Sequence, residues 1–129
     1  MKKFRRPDPT AERLQQLGLD RRAADRLSRH GTVLNIDPGT VLCRTGERGT
    51  QAFLLLDGEV EVVTAADTIT VGSGAVVGEL ATLDPHRTRN ATVTVTGRVR
   101  ILVFDVATYR FLAQQAELAS HLAPERVAA

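Results

Sequence analysis

The chain has 129 residues, 43% of them hydrophobic, which is enough for one core and too few for two ordinary domains. Its single cysteine excludes an internal disulfide, the N-terminus lacks the apolar stretch of a secretory signal, and no apolar run could span a membrane. We therefore expect one soluble domain in the reducing cytoplasm, with a net charge of +2.

The charge is distributed unevenly along the chain. The first thirty residues carry nine Lys or Arg against four Asp or Glu, and the remainder carries eight against eleven. A basic head of this kind suits nucleic acid, anionic lipid or an acidic partner. It is more typical of a solvated helical face with a disordered tip, because no series of aromatic residues interleaves with these charges for base stacking. Residues 1–12 are therefore assigned to a basic, flexible N-terminus.

Short helices are predicted over about residues 11–31. The stretch "DRRAADRLSRHG" places Ala23, Ala24 and Leu27 on one helical face and offers Asp20 as the N-terminal cap. The basic head therefore ends in helical structure, and the strand signal begins immediately after it.

A strand-rich body is predicted over about residues 32–104. This region is rich in Val, Leu, Ile and Thr, and the turn sequences "DPG", "TGERG", "DG", "AAD" and "GSG" interrupt it at close intervals. In "ATVTVTGRVRILVFD" valine and isoleucine share one parity, while threonine and arginine share the other. Such alternation predicts strands with one buried and one wet face, assembled into a barrel or sandwich.

A C-terminal helix is predicted over about residues 105–122. Asp105 is placed to cap it, and apolar residues recur at helical spacing, namely Tyr109, Leu112, Ala116 and Ala119. The predicted order is therefore helices, a strand-rich body and a closing helix.

A polar break between two strands, "GELATLDPHRTRNATV", has the composition of an anion site. Gly78 permits close approach of a ligand, and a short helix starting at "ELAT" would point free backbone N–H groups at an anion. Glu79 would repel the anion unless the ligand also offers a hydroxyl donor, and Arg89 supplies a cation. A ribose monophosphate satisfies both side chains.

The same segment resembles the phosphate-binding cassette of cyclic-nucleotide-binding domains, the family of the bacterial catabolite activator protein and of protein kinase A regulatory subunits. The family pattern of Gly-Glu-Leu/Ile-Ala, a variable stretch, then Arg, a small or polar residue, Ala, Thr/Ser and Val is matched at nearly every position. Only Arg89 is followed by "NATV", so Arg87 falls in the variable stretch. Upstream, "DPGTVLCRTGERGTQAFLLLDGEVEVV" is similar to the strand series of that family.

The resemblance implies a mainly β fold with flanking helices, namely an antiparallel β-roll (a jelly roll or double-stranded β-helix) with helices before and after it. The cyclic-nucleotide-binding domain is then residues 13–129. Glu79 would hold the ribose 2′-hydroxyl and Arg89 the cyclic phosphate. The remaining site residues that the resemblance implies are the phosphate cradle and two apolar walls: Gly78, Leu80, Ala81, Asn90 and Ala91, with Val62 and Val77.

The function expected from the resemblance is that of a stand-alone sensor that binds cAMP, with cGMP as the second choice of ligand, and signals to an effector protein. No cofactor, enzymatic activity, metal site, membrane contact or direct DNA binding is expected, and a homodimer is left open. Asn90 leaves the choice between cAMP and cGMP open, because its amide can meet phosphate or a purine edge. The alternative is a β-roll module that binds a protein and no nucleotide, with Glu79 and Arg89 paired only to each other.

Overall fold

The computed structural model describes residues 8–78 and 88–122. Within these ranges the helices are α1 (Pro9–Gln16), α2 (Arg21–His30), α3 (Val106–Ala113) and α4 (Ala116–Leu122). The strands in the same ranges are β1 (Thr32–Ile36), β2 (Val41–Cys43), β3 (Gln51–Asp57), β4 (Val60–Val63), β5 (Thr68–Val71), β6 (Val76–Val77), β7 (Thr92–Val95) and β8 (Val99–Asp105). The first helix begins inside the segment assigned to a flexible tip.

Two four-stranded sheets form the body, with strand orders β1-β8-β3-β6 and β2-β7-β4-β5. Every pair of neighbouring strands is antiparallel. The expected mainly β fold, an antiparallel β-roll with helices before and after it, is confirmed. The domain boundaries drawn from the sequence stay a prediction.

An inner cluster of apolar side chains joins the two sheets. Its buried members come from strands of both sheets and from the residue before β7: Cys43, Phe53, Leu55, Val60, Val62, Val77, Ala91, Val93, Val95, Val99, Ile101 and Val103. Cys43 thus behaves as a small buried hydrophobe. The sheets pack face to face because the alternating valines of β4, β7 and β8 all turn toward this cluster.

A helix-side cluster covers the opposite face of the first sheet. It consists of Leu14, Leu19, Ala23, Ala24, Leu27, Ala52, Leu54, Leu56, Val76, Leu102, Phe104, Tyr109, Leu112, Leu118 and Leu122. Each fully buried leucine contributes about 1.5–3 kcal/mol relative to an exposed one. The helices are therefore part of the folded core and not appendages to the roll.

The prediction of one buried and one wet face holds for only part of β8. Arg100 lies on the outward parity, but Leu102 and Phe104 on the same parity are buried under the helices. The reason is that the helix layer covers this end of the strand and converts its outer face into core. The central strand β3 is likewise buried on both faces.

Both predicted caps are present. Asp20 accepts a hydrogen bond from the backbone N–H of Ala23 at 2.8 Å, and Asp105 accepts one from that of Thr108 at 2.7 Å. The bond from Thr108 to the charged carboxylate lowers the pKa of Asp105 below its ordinary value. Each carboxylate satisfies an otherwise orphaned N–H at a helix start, which fixes where α2 and α3 begin.

The closing segment 105–122 consists of two helices instead of one. The break falls between Ala113 and Ala116, and the Tyr109 hydroxyl donates across it to the carbonyl of Leu122 at 2.5 Å. Ala116 and Ala119, which the helical spacing suggested as apolar-face positions, are exposed. Leu118 and Leu122 are buried in their place because the break rotates the register of the second helix.

None of the helices in the described ranges is long and apolar enough to cross a membrane.

Candidate functional site

The site is built around Gly78, which directly follows β6. Its φ of +84° lies in the left-handed region, where a side chain is strained. A Cβ placed on Gly78 would lie 2.4 Å from Nη1 of Arg89 and 3.2 Å from the carbonyl oxygen of Gln51. Only glycine therefore permits both this backbone turn and the close approach of the arginine.

The Arg89 side chain is buried, with 5% of its surface exposed. Its Nη1 donates to the carbonyl of Gly78 at 2.7 Å, and its Nη2 donates to the carbonyl of Gln51 at 2.8 Å. The planar guanidinium is thus fixed at both ends of its fork. It joins the residue after β6 to the first residue of β3.

The backbone of Arg89 is held as firmly as its side chain. Its N–H donates to the carbonyl of Glu47 at 2.7 Å, and its carbonyl accepts from the N–H of Gly46 at 2.9 Å. A β-bridge between Arg48 and Thr88 adjoins these bonds. The loop between β2 and β3 therefore acts as a strap that positions Arg89.

A buried guanidinium bonded to two neutral carbonyls keeps its full positive charge. Within residues 8–78 and 88–122, no carboxylate lies within ion-pair distance of Arg89. Burying a cation is costly unless an anion or several hydrogen bonds compensate it. The arrangement is chemically suited to an anion such as a phosphate, which accepts charge-assisted hydrogen bonds from an arginine fork.

The predicted site residues fall into three groups. Gly78 and Arg89 are in direct contact. The other predicted residues that the structure describes differ in exposure: Val62, Val77 and Ala91 are buried together in the inner cluster, whereas Asn90 is exposed. Glu79, Leu80 and Ala81 lie outside the described residues, as does Arg87. Their predicted roles stay predictions.

Sequence reasoning missed the carbonyl of Gln51 and the strap from Gly46 and Glu47. Both act through backbone atoms, which any residue type could supply, so residue identity carries no signal for them. The glycines of "TGERG" indicated a turn but not the segment to which the turn is bonded.

Metal ligation has no candidate in the described ranges, where no group of three or more His, Cys, Asp or Glu side chains is placed to hold an ion.

The antiparallel β-roll thus holds a buried arginine against a left-handed glycine, a geometry that suits a small anionic ligand. A sequence model of the cyclic nucleotide-binding domain family matches residues 33–116. The chain belongs to this family, and the ligand class of the family is a cyclic nucleotide.

Two relatives from distant organisms match the chain over about 80 residues. A cAMP-dependent protein kinase regulatory subunit of Schizosaccharomyces pombe is 39% identical over 77 residues, covering 57% of this chain and 18% of the relative. A cyclic nucleotide-gated potassium channel of Rhizobium etli is 34% identical over 79 residues, covering 60% of this chain and 21% of the channel. The matched part is thus about a fifth of either relative's length.

The fold is also found in an enzyme. A solved cAMP-binding acyltransferase from Mycobacterium smegmatis superimposes with a TM-score of 0.65 and 24% identity, covering 88% of this chain and 39% of the acyltransferase. This likeness concerns the fold alone.

Proposed function

We propose that this chain binds cAMP, and less favourably cGMP, and signals its occupancy to an effector protein. The observation that carries the proposal is the buried Arg89 fork, held by Gly78 and Gln51 and without a carboxylate partner among the described residues. A cyclic phosphate carries one negative charge and two exocyclic oxygens, which match the charge and the paired donors of a guanidinium. Glu79 would then accept from the ribose 2′-hydroxyl.

The two relatives support this choice of ligand and role. One is by name a cAMP-dependent kinase regulatory subunit, and the other is a channel gated by a cyclic nucleotide. In both, the named property is a response to a cyclic nucleotide and not its chemical conversion. We therefore propose a regulatory role, without catalysis, for the present chain.

Binding is tested by thermal unfolding with added nucleotide. A ligand that binds only the folded state stabilises it by about 2.7 kcal/mol at a hundredfold excess over Kd, which raises Tm by several degrees. We expect this increase with cAMP, a smaller one with cGMP at the same concentration, and little change with linear AMP, whose dianionic phosphate does not match a single fork. The same Tm with and without millimolar cAMP would favour the protein-interaction module that binds no nucleotide.

The signalling part of the proposal depends on β6. Val77 belongs to the inner cluster, but the adjacent Val76 packs in the helix-side cluster with Leu112, Leu118 and Leu122. A ligand that draws Gly78 inward would therefore disturb the cluster in which the buried leucines of α3 and α4 are packed. These three leucines are buried in the present structure, and we propose that they face the effector protein in the second state.

Hydrogen exchange tests this coupling. On addition of cAMP, amide protection is expected to change in residues 78–91, where the ligand is proposed to bind, and in residues 105–122, whose buried leucines share the helix-side cluster with Val76. The matched control is the Arg89→Ala protein, in which cAMP should alter neither segment. A change confined to residues 78–91 would disprove the coupling to α3 and α4 and leave the ligand assignment intact.

A further inference from the structure

We propose that β1 is a dimerisation edge, at which a second copy of this chain pairs antiparallel to extend the first sheet across the two molecules. This inference does not depend on the ligand of the Arg89 site. It rests on the exposure, composition and flanking charges of a single edge strand.

Among the strands of residues 8–78 and 88–122, β1 has a neighbour on one side only. It pairs with β8 over all five residues from Thr32 to Ile36, and it ends the sheet order. Four of its five residues are exposed, including Val33 at 38% and Leu34 at 44%. An edge of this kind presents unpaired backbone N–H and C=O groups, for which the complementary ligand is another strand.

This edge lacks the features that normally prevent strand pairing. Residues 32–36 contain no charge and no proline, and the pairing of β1 with β8 runs without a bulge. The other terminal strands in the described part of the chain are less suitable. Both residues of β6 are buried, and the pairing of β2 contains a bulge. In β5 the polar Thr68 and Thr70 alternate with the apolar residues of the strand.

Apolar side chains are left half-covered on both faces of this edge. Val33 is paired with Leu102 and Leu34 with Ile101, so Val33 lies on the helix side of the sheet and Leu34 on the inner side. A loop or helix laid over one face would cover only one of the two. An added strand would place a side chain beside each of them.

The charges that flank β1 select a second copy as the partner. In an antiparallel pair with its two-fold axis between the two Leu34 residues, Asp37 of one copy lies opposite Gly31 of the other. It is then next to His30, at the basic end of α2. The last turn of α2 also carries Arg29, and the same approach of Asp37 to this basic turn recurs at the other end by symmetry. At the centre the two Leu34 side chains meet, and each Val33 lies beside an Asn35.

The experiment is sedimentation velocity of the full chain from micromolar to millimolar concentration. A five-residue edge buries a small area, so we expect a weak, reversible dimer. Leu34→Lys places two lysines opposite each other at the two-fold axis and should raise the dimer Kd about tenfold or more. Val63→Lys is the matched control, because Val63 is 37% exposed but its strand is paired on both sides. It should leave the Kd unchanged.

A charge exchange tests the register. Asp37→Lys alone should weaken the dimer, and His30→Asp combined with Asp37→Lys should restore it. The amides of residues 32–36 should also exchange more slowly as the protein is concentrated, a measurement that needs no variant. A chain that stays monomeric to millimolar concentration, a dimer indifferent to Leu34→Lys, or protection of these amides that does not change on dilution would each overturn the proposal. The last outcome would mean that another segment of the same chain covers β1.

Discussion

Replacing Arg89 by alanine is expected to weaken cAMP binding by about a hundredfold or more. A charge-assisted hydrogen bond contributes roughly 1.5–3 kcal/mol, and the guanidinium fork can make two to a cyclic phosphate. Calorimetric titration measures the loss directly. Arg89→Lys should be intermediate, because lysine keeps the charge but cannot form the planar fork.

The same substitution should also lower the stability of the ligand-free protein. It removes the two hydrogen bonds that the guanidinium donates to the carbonyls of Gly78 and Gln51, and a hydrogen bond to a charged group contributes roughly 1.5–3 kcal/mol. Denaturant unfolding without nucleotide separates this effect from the loss of affinity. Arg87→Ala and Arg44→Ala are the controls. The first is the other arginine of the cassette, and the second is exposed on the strap. If Arg87→Ala costs more affinity than Arg89→Ala, the register assigned to the cassette is wrong.

Replacing Gly78 by alanine is expected to reduce both stability and cAMP affinity. Two effects combine here. A left-handed φ costs a non-glycine residue about 1–2 kcal/mol. The new Cβ would also lie 2.4 Å from Nη1 of Arg89, so the guanidinium would have to move away. We expect affinity to fall about tenfold or more, since the phosphate donors no longer occupy their position. Unfolding and titration measure the two consequences.

Gly74→Ala is the control that separates the backbone strain of a left-handed φ from the clash of a Cβ with Arg89. Gly74 has a φ of +92°, close to that of Gly78, but a Cβ there would meet no atom within 4 Å. Because of the strain, the Gly74→Ala protein should therefore show a similar decrease in its free energy of unfolding. Its affinity for cAMP should be unchanged. Equal affinity losses in the two variants would show that the approach of Arg89 to Gly78 does not matter for binding.

Local patterns in the sequence were sufficient for most of the elements. The alternation in β7 and β8, the caps Asp20 and Asp105 and the buried face of α2 follow from periodicity and from side chains that bond within three residues. The motif assigned Gly78 and Arg89 to one site, but it did not predict the hydrogen bond between them. These features depend on residues that are close together along the chain, so they can be predicted from the sequence.

Only the tertiary structure decided which distant segments pack against those elements. Arg89 is fixed by a carbonyl 38 residues away, and that acceptor is a backbone atom with no trace in residue identity. Leu102 became core because the helices cover that end of β8, whereas Leu34 stayed exposed because β1 ends its sheet. Hydrophobic periodicity specifies the two faces of a strand. Packing between segments that are distant in sequence decides which elements lie beside a strand. That packing therefore decides whether a face or an edge of the strand is covered.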